Sequence, residues 1–452
     1  MGIESKNGVD YEEAAAQGSA SIAEQEDANG SVNTLGEPDG GGGAGVTDPA
    51  KEFPRHTRYA VIAGCFVLQG LSCGTIHSWG VQQEYLATHD FDGDTKRIKT
   101  LNYIGTLMYF GLYLWGMLAG WMAEVWSYRK LCFIGVVFMA AGQLVASFCR
   151  EPWQFCLTQG IIFGFGGGLV FSPTSTAPAR WFTKRRGLAT GIAVAGVGVG
   201  GLVIAPLTEF LVRRAGVPWS ARVAAIYIFV LGTTACYFVR VPFQDKTRTL
   251  KNFDWMAFRD RRFTIHAMMV FFVTAAYMVP YTYLPEYWTN KGINAQAASV
   301  LIAVANVASA LGRVAMGFAA DYIGVLNSLV LSLGISAIAV LLIWPFSATI
   351  GVGVVMGLFY GFNAGGYWTL APLAAAKLFG VDKLASNAGI FYTISAVSAW
   401  LGNPVSAAIL ANPGHGTNFI GMIVYVGALW VVALAFAFTN RISYTKSIFR
   451  KA

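Results

Sequence analysis

The chain has 452 residues, of which 55% are hydrophobic and only 12% charged, and its formal net charge is +8. That balance excludes an ordinary soluble globular protein, in which about a quarter of residues are charged. The charge is also uneven: residues 1–50 hold ten acids and one base, Lys6, and the remainder is strongly basic.

Residues 1–56 include the run Gly40 to Gly43, many Ser, Ala and Glu, and few bulky apolar side chains. Such a segment buries too little surface to offset the cost of ordering, so an acidic, disordered tail is expected. It lacks the basic start and short apolar core of a secretory signal. From Tyr59 onward, apolar stretches follow one another at 59–86, 101–124, 131–149, 154–179, 188–213 and 222–241, then at 263–288, 297–320, 327–346, 350–379, 385–411 and 418–439. Each is about long enough for a helix to cross a ~30 Å hydrocarbon core, and a helix satisfies its own backbone polar groups where lipid cannot. The expected fold class is therefore an all-α membrane protein with twelve transmembrane helices in two six-helix halves. A ten-span arrangement with two re-entrant segments is the competing reading. The expected organisation is a tail at 1–56, one half at 57–241, a basic linker at 242–262, a second half at 263–445 and a short tail at 446–452.

The two halves carry matching marks. Gly120-Trp121-Met122-Ala123-Glu124 ends one apolar stretch and Gly317-Phe318-Ala319-Ala320-Asp321 ends another, 197 residues on. Gly164 and Gly361 keep the same offset, and Pro206 and Pro404 stand 198 apart. A register held over three segments points to a duplicated bundle, and a duplicated membrane bundle of this size is expected to be a secondary transporter. Lys and Arg favour cytoplasmic loops. With the N-terminus inside, inner segments hold about twenty-one basic residues and outer loops eight, so both termini are expected in the cytoplasm. The six cysteines show no metal-ligand spacing and are expected to be free thiols. The acidic loop beginning at Asp90 lacks the glycine and the twelfth-position glutamate of a calcium loop.

These features resemble the major facilitator superfamily, whose signature after the second and eighth helices matches the two glycine-to-acid runs. Ser127-Tyr128-Arg129-Lys130 departs from the usual continuation but keeps the basic pair. Within that superfamily the chain resembles the monocarboxylate transporter family, especially its fungal branch. The resemblance rests on Arg180 through Ile192, on Asn306 through Arg313 running on to Gly317, Asp321, Gly324 and Asn327, on Tyr360-Gly361-Phe362, and on Gly402-Asn403-Pro404. It covers roughly residues 57–445. It implies a major facilitator fold, transport by alternating access, a carboxylate-binding role for Arg313, and a role in conformational locking for Gly120, Glu124, Arg129, Lys130, Gly317 and Asp321. The family pattern also places an acid one turn before that arginine, linked to proton coupling. Here the position is Ser309.

The residues themselves support a site near the membrane midplane. Arg313 is the only full charge deep inside a span, and Asn306, Ser309 and Arg313 share one helix face by their i, i+3, i+7 spacing. A guanidinium suits a carboxylate through two parallel bonds; the structural alternative is an arginine tied to carbonyls of a neighbouring helix. His77 is the deep group that titrates near physiological pH, seven residues before Glu84, and these two are the candidates for proton coupling. Ser78, Tyr281, Tyr283, Asn363, Tyr367 and Trp368 are candidate pocket walls. The expected cargo is a small organic anion, a monocarboxylate. The alternatives are a neutral or larger metabolite, such as a vitamin or an exported secondary product, and a non-transporting membrane sensor. No nucleophile–base pair, cofactor motif or nucleic-acid feature appears, so an enzyme is not expected. The expected partners are a small-molecule substrate, protons and the bilayer, in the plasma membrane or that of an organelle.

Overall fold

The structure is a computed structural model that describes residues 53–91, 94–123, 125–242, 258–381, 384–411 and 418–445. The acidic tail, most of the basic linker, Glu124 and the last seven residues lie outside the described residues. Those described are helical throughout, apart from short connections, and ten runs are long and apolar enough to cross a membrane.

The first half begins with α1, Arg55–Tyr85, which starts directly after Pro54 and continues into a wider π turn, Leu86–Asp90. Then follow α2, Thr95–Met122, α3, Tyr128–Ala146, and α4, Pro152–Trp181. Ser127 caps α3 by accepting from the Lys130 N–H at 3.3 Å. Pro152 opens α4, where its missing donor costs nothing. The next run, Arg186–Phe238, is 53 residues long but is broken at Gly216, whose φ of 78° and ψ of 171° belong to neither a helix nor an easy L-residue conformation. It is therefore two helices, α5 at 186–215 and α6 at 217–238. The apolar spans at 188–213 and 222–241 predict a loop of several residues here. The chain instead reverses over one glycine, with Pro218 in the first turn of the next helix.

The second half comprises α7, Arg261–Asn290, α8, Ala295–Ile323, α9, Val325–Phe346, α10, Ile350–Phe379, α11, Leu384–Ala411, and α12, Ile420–Tyr444. Asp260, Asn294 and Thr349 cap α7, α8 and α10 through their side-chain oxygens. Counting both sides of the Gly216 break, the described residues hold twelve long helices, consistent with the expected six plus six.

Helix pairings repeat between the halves. In the first, α2 and α3 both pack on α4; in the second, α8 and α9 both pack on α10. The matched glycines sit at the same point of each half: Gly164 faces Gly111 of α2, and Gly361 faces Ala305 of α8. Pro206 and Pro404 lie inside α5 and α11. The halves meet along α5 with α8 and α2 with α11. A buried amide chain holds the interior of the first half, with Gln143 donating to Gln159 at 3.3 Å and Gln159 to Gln82 at 3.1 Å. In a hydrocarbon surrounding such amides have no water to turn to, so they bond across helices.

Candidate functional site

The halves close on each other at the end that carries the glycine signatures. A Cβ at Gly120 would overlap the Ala385 carbonyl of α11, and one at Gly187 or Gly317 would overlap the carbonyl of the other. Only glycine permits this approach. Beside it, both Asp321 carboxylate oxygens accept backbone bonds from the first turn of α5, from Gly187 N–H at 2.8 Å and Leu188 N–H at 2.9 Å. An acid from the second half thus caps a helix of the first, where orphan donors and the helix dipole favour negative charge. Arg129 works within its own half. It donates to the Tyr237 carbonyl at 2.6 Å and lies 4.8 Å over that ring, tying α3 to the end of α6. Lys130 contributes its backbone N–H to the Ser127 cap.

Further along the bundle, away from that closed end, the halves enclose a cavity of about 210 Å³. The first half supplies Cys73 and His77 from α1, Tyr109 and Tyr113 from α2, Phe171 from α4, and Val194, Val197 and Gly198 from α5. The second supplies Tyr277, Met278 and Tyr281 from α7, Ile302, Asn306, Ser309 and Arg313 from α8, and Trp368 from α10. The three polar positions predicted to share a face of α8 all line it.

Arg313 is only 4% exposed. It lies ten residues from the end of α8, roughly 15 Å along the axis. Its Nη1 donates to the Val194 carbonyl of α5 at 3.3 Å, while its Nε has no partner. The neighbouring-helix tie at Nη1 and an unpartnered Nε therefore coexist on one guanidinium. His77 faces the same cavity from the opposite half. It is exposed although it sits deep between helices, because its surroundings on one side are the cavity, and its ring centroid is 6.1 Å from that of Tyr109.

An aromatic floor separates the cavity from the closed end. Tyr113 stacks on Trp368 with centroids 5.4 Å apart and planes 6° from parallel, and Tyr277 meets the same indole edge-on at 5.4 Å. Phe171 packs on Tyr392 at 5.1 Å, and the Tyr392 and Ser175 hydroxyls are hydrogen-bonded at 2.7 Å. The floor thus joins α2 and α4 of one half to α10 and α11 of the other.

Several predicted wall residues lie elsewhere. Ser78, one residue and about 100° past His77, is buried and donates to the Thr75 carbonyl at 2.8 Å. Tyr283, two residues past Tyr281, points its hydroxyl at the Asn403 carbonyl at 3.5 Å. Asn363 is buried and donates to the Phe359 carbonyl at 2.9 Å. Tyr367 is buried one position round from Trp368 and lines a separate, smaller cavity. Glu84 is exposed and outside the cavity wall. Conversely, Tyr109, Tyr113 and Tyr277 were not predicted. Their signal was available as the i, i+4 pairs Tyr109–Tyr113 and Tyr277–Tyr281, each of which puts two phenols on one helix face.

A helical bundle of two repeats around a central cavity rich in aromatic side chains and with one buried cation in its wall is the architecture of a multi-pass membrane transporter. The family model of the Major Facilitator Superfamily matches residues 62–292, and the chain belongs to that family. It is 28% identical over 382 residues to "MFS-type transporter 1" of Ophiocordyceps sp. (strain BCC 1869), covering 83% of this chain and 84% of the relative. It is 27% identical over 420 residues to the "Fujikurins efflux protein" of Gibberella fujikuroi, covering 92% and 86%. Among solved structures, the major facilitator transporter FucP in the outward conformation matches with a TM-score of 0.66 at 14% identity, covering 84% of this chain and 98% of that one. The protein is thus an integral membrane transporter of this superfamily with fungal relatives.

Proposed function

We propose that the protein carries an organic anion across the membrane by alternating access, with Arg313 as the group that grips the carboxylate. The observation that carries this reading is a buried guanidinium in a residue that lines the cavity between the halves, held to Val194 through Nη1 and with its Nε unpartnered. An Arg side chain buried at membrane depth costs about 2.5–3.5 kcal/mol on insertion scales, so it is retained where it has work to do. The monocarboxylate-transporter resemblance supports an acid as cargo. The cavity, lined by four tyrosines, a phenylalanine and a tryptophan, favours an acid with a sizeable apolar body over a two- or three-carbon one. With the signature end taken as cytoplasmic, the described state is closed inward, both termini are inside, and the expected home is the plasma membrane. His77 serves as the titratable group of a proton-linked cycle, a part Ser309 cannot play.

A second reading, export of a larger secondary product, is favoured by the relative named as an efflux protein. Both readings are tested by proteoliposomes offered labelled monocarboxylates, larger aromatic acids, vitamins and neutral metabolites, with an imposed pH gradient. Saturable movement of acids, lost in Arg313→Ala, supports the anion reading. Movement of neutral compounds alone, indifferent to Arg313, replaces it with the second.

A further inference from the structure

The central cavity has a neighbour on the far side of its floor. Between α7, α10 and α11 lies a second cavity of about 20 Å³, room for about one water. Its wall includes His266, Tyr367, Trp368, Phe391, Tyr392 and Ser395, and Trp368 is common to both cavities. His266 is fully buried, and neither ring nitrogen has a partner. Phe391 and Phe379 press edge-on against its ring at 4.8 and 5.9 Å. A buried polar group without a partner is unfavourable, and a leucine would fill the same space at no such cost. His266 stands five residues into α7, whereas Tyr277 of the central cavity is eleven residues further, roughly 16 Å along the axis. The second cavity therefore lies between the floor and the signature end. One more feature sits at the partition. Pro372 of α10 has no N–H to give to the carbonyl four residues back, which is that of Trp368, so the helix is weakened where the indole is attached.

We propose that the Trp368 indole, stacked on Tyr113, is a gate between two stations, and that His266 forms the second. It is a hydrogen-bonding subsite for the polar end of an organic solute that has left Arg313 for the signature end of the protein. Recognition there is by hydrogen bonds, because among the described residues no charged side chain lines the cavity; the titratable groups facing the imidazole are the phenols of Tyr367 and Tyr392. A guanidinium presents a fork of donors to a carboxylate, whereas an imidazole presents two single contacts. The second station thus holds less firmly than the first, which is what release requires. This inference rests on the transporter reading above.

The test begins without cargo. His266→Cys is placed in right-side-out and inside-out vesicles, and trimethylammonium-ethyl methanethiosulfonate, which does not cross membranes, is added. Labelling is read at position 266 by peptide mass spectrometry, which keeps the six native cysteines out of the signal. A tag on the C-terminus reports which face is which. The expected result is labelling only from the face that carries the C-terminus. Adding Trp368→Ala opens the partition and brings labelling from the opposite face as well, at least tenfold faster than with the indole present. No labelling from either face, or equal labelling from both with Trp368 intact, overturns the proposal. The second arm uses the labelled compound found to be moved in the panel above. His266→Leu raises half-saturation at least fivefold for that compound offered on the C-terminal face and less than twofold on the other, and His266→Gln restores much of it. An equal change on both faces, or no rescue by glutamine, removes the subsite. The labelling arm stands whether or not the cargo is an anion, so its failure is separable from failure of the anion reading.

Discussion

At the scale of single residues, Arg313 is expected to carry two duties, one structural and one toward cargo. Its Nη1 bond to the Val194 carbonyl joins α8 to α5, its Nε is buried without a partner, and the residue lines the cavity. Arg313→Ala is expected to lower saturable uptake of an organic anion at least tenfold, about 1.4 kcal/mol, with surface abundance within twofold of wild type. Arg313→Lys is expected to be poor as well, since an ammonium lacks the planar fork that could hold Val194 and cargo together. Uptake and surface labelling measured side by side check both, and normal uptake by the alanine variant removes Arg313 from the site. His77 makes a different prediction. It faces the same water-accessible space as Arg313, with Tyr109, Tyr277 and Tyr281 around that space. His77→Gln keeps the shape and hydrogen bonding but cannot titrate, so the dependence of uptake on outside pH should flatten while exchange of cargo persists. Initial rates at acidic and neutral pH decide it; an unchanged pH response assigns coupling to another group.

At the scale of elements, the Asp321 cap makes the α5–α8 contact a property of one conformational state. When the signature end opens, the Gly187 and Leu188 N–H groups lose their acceptor to water. Replacing a helix cap by alanine costs about 0.5–2 kcal/mol, and here the cost falls on the closed state. Asp321→Ala is therefore expected to raise the population open at that end, by a factor of about 5–30 for 1–2 kcal/mol. Native Cys73 in the central cavity reports this through its reaction with an impermeant thiol reagent added on the C-terminal face, and an unaltered rate refutes the latch. The glycine signatures, the register of the repeats and the shared face of Asn306, Ser309 and Arg313 were legible in the sequence because each is a spacing, and a helix converts spacing into direction. The wall residues on α1, α7 and α10 were less legible. Ser78, Tyr283, Asn363 and Tyr367 lie one, two or five positions from residues that do face the cavity, and on a helix those steps turn a side chain well away. Residue type pointed to the right helices there, and only rotation about each axis, set by packing, chose the residue. His266 gave no sequence signal, since a lone histidine near a helix start reads as a surface group until its neighbours are known.

At the scale of the whole molecule, transport belongs to the two repeats. A chain beginning at Lys51 is expected to turn over at a rate within twofold of the full protein per molecule at the surface, because residues 1–50 are acidic, glycine-rich and poor in apolar anchors. Lower turnover at equal surface abundance would assign the tail a gating part. The duplicated register was legible as a spacing, and its signature glycines prove to lie at the α2–α11 and α5–α8 seams. The turn at Gly216 did not follow, because nothing in the residues around it distinguishes a single-residue reversal from a longer loop. That turn has a mechanical meaning. Two helices joined through one glycine, with no slack between them, form a rigid bracket: a push on the Gly216 end of α5 is delivered to α6. Arg129 fastens the other end of α6 to α3. A load entering at the α5–α8 seam therefore has a short, stiff route to the back of the first half, through Gly216 into α6 and through Arg129 into α3.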